Sequence, residues 1–297
     1  MTTVIAKGQR VRRLFLGTFF ILFSAFGNVL AQSRDFPVTF RHTGKNELAG
    51  DSALLPVFEK WRHNDTVKVM HIGDSHVRGT AFPRTLQATL QAHFPCVAFA
   101  DYGINGAWAK RFCEEDMIER IAAERPDLVV VSFGTNEAHG STLDRAAHEE
   151  TLNLLTRRIG ERCPGVCFLF TTPPGSYISQ RVRRRASNGK VRTVVTKVVN
   201  RNTENVAQSI AAYGKKHRHA VWDIYTIAGG ASSACDNWWR AGLMNRDKVH
   251  FLPAGYTLLG KLLGEAIYAA YSGMPVWGSG TNVLPTDSLL QNPGLHR

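Results

Sequence analysis

From Val67 onward the chain alternates short apolar runs with longer segments whose apolar residues recur at helical spacing. The apolar runs at 67–72, 97–101, 128–133, 167–172 and 220–224, the first four bounded by Gly, Pro, Asn or Asp, predict five strands. Helical periodicity fills the intervals at 84–93, 115–124, 145–160 and 193–216. A last helix is predicted over 254–271, where Tyr256, Leu258, Leu259, Leu262, Leu263, Ala266 and Ile267 fall on one broad face. Strand followed by helix, repeated, predicts a mainly parallel five-stranded sheet covered on both faces, a three-layer α/β/α sandwich. One stretch breaks the alternation. Residues 181–195 are strongly basic and alternate about Asn188-Gly189, a strong short-range signal for a β-hairpin. It follows the fourth strand and its Pro173-Pro174-Gly175 turn, and loops at strand carboxyl ends surround ligand sites in such sheets.

The chain ends change the picture of organisation and location. Lys7, Arg10, Arg12 and Arg13 precede an apolar run from Leu14 to Phe26 and the small-residue site Val29-Leu30-Ala31, the pattern of a secretory leader. That run is short of the roughly 20 residues a membrane span needs. The expected division is therefore a signal peptide over 1–31, an N-terminal arm over 32–65, a catalytic α/β domain over 66–272 and an irregular tail over 273–297. The expected location is periplasmic or extracellular, without stable membrane insertion once the leader is removed. Loss of the leader's four cations lowers the net charge from +12 to +8. A basic surface favours solubility and loose attraction to anionic surfaces or a polyanionic substrate. No nucleic-acid motif accompanies it.

Five cysteines, Cys96, Cys113, Cys163, Cys167 and Cys235, leave at least one unpaired in an exported chain, and Cys163 with Cys167 could close a small loop across Pro164-Gly165. No Cys-x2-Cys pair points to zinc, and no metal or cofactor is expected.

The candidate chemistry lies at the ends of the apolar runs. The first ends in Gly73-Asp74-Ser75-His76, and Asp247-Lys248-Val249-His250 follows about 170 residues later. A serine hydroxyl is a poor nucleophile until a base takes its proton, and the base works best when a carboxylate orients it. Ser75, His250 and Asp247 supply these roles. Acyl transfer also needs N–H donors aimed at the oxygen that becomes negative. The backbone of Ser75, a glycine of the second loop and the Asn136 amide are the candidates, with Gly106 favoured and Gly103 assigned to the turn. Trp238-Trp239 could wall a sugar site, and Arg183 and Arg185 of the hairpin could meet an acidic substrate. His71, His76 and His139 beside Asp74 raise a metal reading, which we set aside, with Asp74 bracing its loop and His71 in the core. A Gly-x-Ser-x-Gly elbow is absent, because Val77 stands at its second glycine.

Gly73-Asp74-Ser75, Gly106, Gly134-Thr135-Asn136-Glu137 and Asp247-x-x-His250 resemble, in order, the four blocks of the SGNH (GDSL) hydrolase superfamily over residues 67–270. The resemblance implies a flavodoxin-like sheet, Ser75 as nucleophile, Gly106 and Asn136 as oxyanion donors, and His250 and Asp247 as base and orienter. Glu137 departs from the Asp that many members carry. The longer strings around these blocks are similar to the bacterial peptidoglycan O-acetylesterase branch, implying a serine esterase that removes acetyl or another short acyl group from a polysaccharide. An O-acyltransferase would use the same residues; a metal-dependent phosphoesterase and a non-catalytic glycan-binding protein are the more distant alternatives.

Overall fold

The computed structural model describes residues 36–140, 142–185, 187 and 189–273. The expected leader, residues 32–35 of the arm and the tail beyond Gly273 lie outside them. Strands β1 (Val67–Gly73), β2 (Val97–Gly103), β3 (Leu128–Ser132), β4 (Cys167–Thr171) and β7 (Ala220–Trp222) form one sheet in the order β2-β1-β3-β4-β7. Every pairing in it is parallel. The expected three-layer α/β fold is the observed one, and the order is that of a flavodoxin-like sheet.

The layers follow from the period-two alternation of the strands. Val69, Leu128, Val130 and Leu169 face one apolar cluster with α3 (Ala81–His93) and α10 (Pro253–Ser272). Met70, Val129, Val131, Phe168 and Phe170 face the other with α4 (Glu115–Glu124), α6 (Arg145–Arg162) and α7 (Asn202–His217). β3, β4 and β7 are buried along their whole length and read as near-continuous apolar runs, whereas the edge strand β2 is buried only at its two ends. Among the described residues no helix is long and apolar enough to cross a membrane.

The arm is anchored to the sheet. Ala49 bridges Val221 antiparallel, a short 3-10 turn (Asp51–Leu54) leads into α1 (Leu55–Arg62), and Phe40 meets Trp238 edge-on at 5.0 Å. All five cysteines are free, so the Cys163–Cys167 loop does not form; Cys163 ends α6 and Cys167 opens β4.

Two expectations overlapped at 193–195, a hairpin arm and a helix, and the hairpin prevails. Strand β5 (Tyr177–Arg185) pairs antiparallel with β6 (Val191–Val199), and α7 begins only at Asn202. Five valines crowd β6, and β-branched side chains favour a pleated strand over a helix. Asn200 then stops the strand, its Oδ1 accepting from the Asn202 N–H at 3.1 Å. The turn residue Asn188 lies outside the described residues. The fifth strand ends two residues early, at Trp222, because Asp223 caps α8 (Ile224–Ile227) by accepting from the Thr226 N–H.

Candidate active site

Three carboxyl-end loops of the sheet meet one late loop. β1 ends at Gly73, Asp74 caps the short helix α2 (Ser75–Arg78), and the Asp74 Oδ1 accepts from the His76 N–H at 2.9 Å. Ser75 is thus the first helical residue. Gly103 ends β2 rather than making a turn. A side chain there would meet the Arg78 backbone nitrogen at 2.2 Å, so glycine lets α2 lie against the second strand.

The late loop brings His250 to Ser75. His250 Nε2 lies 2.9 Å from Ser75 Oγ, and His250 Nδ1 lies 2.8 Å from Asp247 Oδ2. With Nδ1–H donated to the carboxylate, Nε2 keeps its lone pair for the serine hydroxyl. Asp247 Oδ1 accepts from the N–H groups of Val249 (2.9 Å) and His250 (3.0 Å). Partial burial pushes the Asp247 carboxyl upward, but these N–H bonds and the His250 ring outweigh it and hold it below the usual carboxylate range. The loop is pinned at Lys248, whose carbonyl accepts from the Tyr177 N–H at 2.9 Å.

The second loop places Gly106 at φ +73°, a left-handed conformation that favours glycine. Gly106 is exposed. Its N–H has no backbone partner among the described residues. Asn136, in α5 (Thr135–His139), lies at the same place, but its Nδ2 donates to Asp74 Oδ2 (3.1 Å) and to the Ala107 carbonyl (3.0 Å). Both amide hydrogens are engaged here, so donation to a further oxygen shares or releases one of them.

Glu137, the departure from the family pattern, is buried and braces this region. Its Oε1 accepts from the Ala109 N–H at 2.8 Å and its Oε2 from the Gly134 N–H at 3.0 Å. It ties the Gly106 loop to the start of α5, a role that the sequence pattern alone did not mark.

Behind Ser75 the electrostatics are those of a sealed interior. Burial pushes Asp74 up to about 8, with nearby Glu137 adding to the shift against the N–H groups it accepts from. Burial pulls His76 down to about 3 and the neighbouring His250 pulls the same way, so the ring is neutral. His76 Nδ1 lies 3.1 Å from the Tyr256 hydroxyl. Burial alone takes His71 to about 3; it is a core residue bonded to Ser132 Oγ at 2.8 Å. His139 bonds Ser176 Oγ at 2.9 Å, and burial, then Lys197 and His250, lower its pKa. Among the described residues no three of His, Cys, Asp and Glu are disposed to hold a metal ion.

The tryptophan wall needs correction. Trp238, in α9 (Gly230–Arg240), is fully buried, donates its indole N–H to the Pro174 carbonyl and packs on Phe251. It cannot stack on a sugar. Trp239, 37% exposed, lies under the Lys248 ammonium at 4.0 Å, and the same ammonium stands 4.7 Å from the Tyr177 ring. Arg183 and Arg185 are exposed on the hairpin. The register places them with Arg181 and Lys197 on one face and puts Arg192 opposite Arg184 on the other.

A parallel sheet whose carboxyl-end loops meet in a hydrogen-bonded serine, histidine and aspartate is the arrangement of a serine hydrolase. The family model for the GDSL-like lipase/acylhydrolase family matches residues 71–258, and the chain belongs to that family. The fold is similar to a solved peptidoglycan O-acetylesterase, with TM-score 0.61 and 15% identity over 76% of this chain and 96% of that one. It is also similar to a carbohydrate esterase family 3 member from Talaromyces cellulolyticus, with TM-score 0.48 and 15% identity over 71% and 100% of the two chains. No curated protein matches the sequence.

Proposed function

We propose that the chain is an exported serine esterase that removes acetyl or another short acyl group from a polysaccharide, through an acyl-enzyme on Ser75. The observation that carries this reading is the continuous hydrogen-bonded path from Ser75 Oγ through the His250 ring to Asp247. The Ser75 oxygen attacks the ester carbonyl while its proton passes to His250 Nε2. Asp247, kept ionised, orients the ring and stabilises the imidazolium. The N–H groups of Ser75 and Gly106 and the Asn136 amide take up the charge that develops on the carbonyl oxygen. Collapse expels the sugar hydroxylate, which takes the proton from His250 and leaves Ser75 acylated. Water then attacks the acyl-enzyme with His250 as base, releasing the acid and restoring Ser75.

The acetylated cell-wall glycan as substrate is supported by the fold similarity to a peptidoglycan O-acetylesterase, and export by the leader pattern at residues 1–31. Arg183 and Arg185 on the basic hairpin suit an acidic polymer. The test is acetate release by the purified chain from O-acetylated peptidoglycan and O-acetylated xylan. We expect release from at least one. Hydrolysis confined to non-carbohydrate esters would overturn the reading.

A further inference from the structure

A groove of about 700 Å3 opens beside the loop that carries Gly106. Its size is that of a site for a ligand of several rings. One wall is the stretch from Trp108 through the 3-10 turn Ala109–Cys113, and the other is α6 as far as Arg157. Trp108 is two residues from Gly106, so their Cα atoms are within about 7.6 Å. The groove therefore begins where the ester is expected to sit.

Its chemistry is specific. The Trp108 indole is 47% exposed and rests on Gly140, where even a Cβ would meet the ring at 2.7 Å. On the facing wall Ala147, Glu150, Leu154 and Arg157 repeat at three- and four-residue spacing, so one face of α6 is turned toward the groove. The side chains of Lys110, Glu150 and Asn153 line it without a hydrogen-bond or ion-pair partner among the described residues, although the Asn153 backbone carbonyl accepts from Thr156 Oγ1. Two cations, Lys110 and Arg157, are matched by the exposed acids Asp144 and Glu150. Burial lowers His148 to about 4, which keeps that ring neutral. An exposed indole suits the apolar C–H face of a pyranose ring, and unpartnered polar side chains around it suit the hydroxyl rim. The balance of charge disfavours a polyanion, in contrast to the hairpin.

We infer that this groove is the subsite for neutral sugar units flanking the acylated one, with Trp108 as stacking platform and the exposed face of α6 as the hydrogen-bonding wall. The inference rests on the carbohydrate esterase reading for its substrate. A fatty acyl chain is the competing occupant, because Leu143 and Leu154 also line the groove.

The test combines binding and turnover with the purified chain. Neutral cello-, xylo- and chitotetraose are titrated while the indole N–H resonances are followed, with Trp108→Phe assigning the relevant one. The same Trp108→Phe variant, Trp108→Ala and, as a variant on the other wall, Asn153→Ala are then compared with the parent on acetylated oligosaccharides and on a small acetyl ester. We expect at least one tetrasaccharide to shift the Trp108 resonance. We also expect Trp108→Ala and Asn153→Ala to lower the ratio of kcat/KM for oligosaccharide over small ester by at least tenfold and threefold, mainly through KM. No shift with any tetrasaccharide, or an unchanged ratio in both variants, overturns the groove assignment even if acetate is still released from sugars. Rates that climb with acyl length and collapse in Trp108→Ala also overturn it, in favour of an acyl pocket. A tetrasaccharide shift without deacetylation of any sugar supports the groove and overturns the esterase reading instead.

Discussion

At the scale of single residues, the proposed chemistry depends on a few short contacts. Ser75→Ala should cut ester hydrolysis by several orders of magnitude with the fold retained, as removal of a triad nucleophile does. His250→Ala should match it in a steady-state assay; activity above about a tenth of the parent in either would remove that residue from the mechanism. Asn136→Ala should lower kcat by roughly 100- to 1,000-fold if its amide faces the oxyanion. An unchanged kcat would leave it as the brace between Asp74 and Ala107 that its two hydrogen bonds describe. Asp74 predicts a pH effect with a definite sign. Burial raises it to about 8, so it is neutral below that pH and carries a negative charge beside Asn136 above it. That charge opposes a developing oxyanion, so kcat/KM should fall as pH rises through about 8, and Asp74→Asn should remove the alkaline limb. The same raised value means that the stability this group contributes is full below the ordinary carboxyl value of 3.8 and lost as pH climbs toward 8. A melting-temperature profile of Asp74→Asn should therefore be flatter across that window than the parent's.

At the scale of elements, the reach of sequence reading can be seen case by case. The central strands β3 and β4 were legible because they are buried along their whole length and read as apolar runs, and the helix at 115–124 because Met117, Ile118 and Ile121 recur at helical spacing. The Ser75, Asp247 and His250 positions were legible because each lies in a compact local pattern. Trp238 was not, because two adjacent residues on a helix point about 100° apart and only packing decides which of them enters the core. Glu137 was not, because its partners, Ala109 and Gly134, are set by how two loops meet. The hairpin was legible as a turn with alternating arms, but its length to Val199 was masked by the polar run that opens α7. That element carries its own prediction. Replacing Arg183 and Arg185 together with Gln should weaken activity on an acidic polymer at low ionic strength, with the gap closing as salt screens the charges. Rates on a small neutral ester should fall by far less, and equal losses on both substrates would make the hairpin a structural element.

At the scale of the whole molecule, the sheet gathers the Ser75, Gly106 and Asn136 loops at one edge, while α10 and α3 pack beneath one face and hold His76 through Tyr256. The proposed mechanism polarises the carbonyl with N–H donors, so activity should survive prolonged treatment with a strong chelator. Loss on chelation with rescue by a divalent ion would call for a different mechanism. The whole chain carries a net charge of +12, and the longest run of cations without an intervening acid in the described structure includes the hairpin, whose first residue, Tyr177, is hydrogen-bonded to Lys248 of the late loop. Attraction of an anionic wall polymer would then bring substrate to the same edge of the sheet that holds the serine. The central claim is that acyl groups pass through Ser75. It is tested most directly by quenching turnover of an O-acetylated glycan with acid and mapping the modified peptide by mass spectrometry. One acetyl group on Ser75, present during turnover and absent from Ser75→Ala, is the predicted result. Acetate release at the parental rate in Ser75→Ala, or an acetyl group carried instead by another residue, would contradict it.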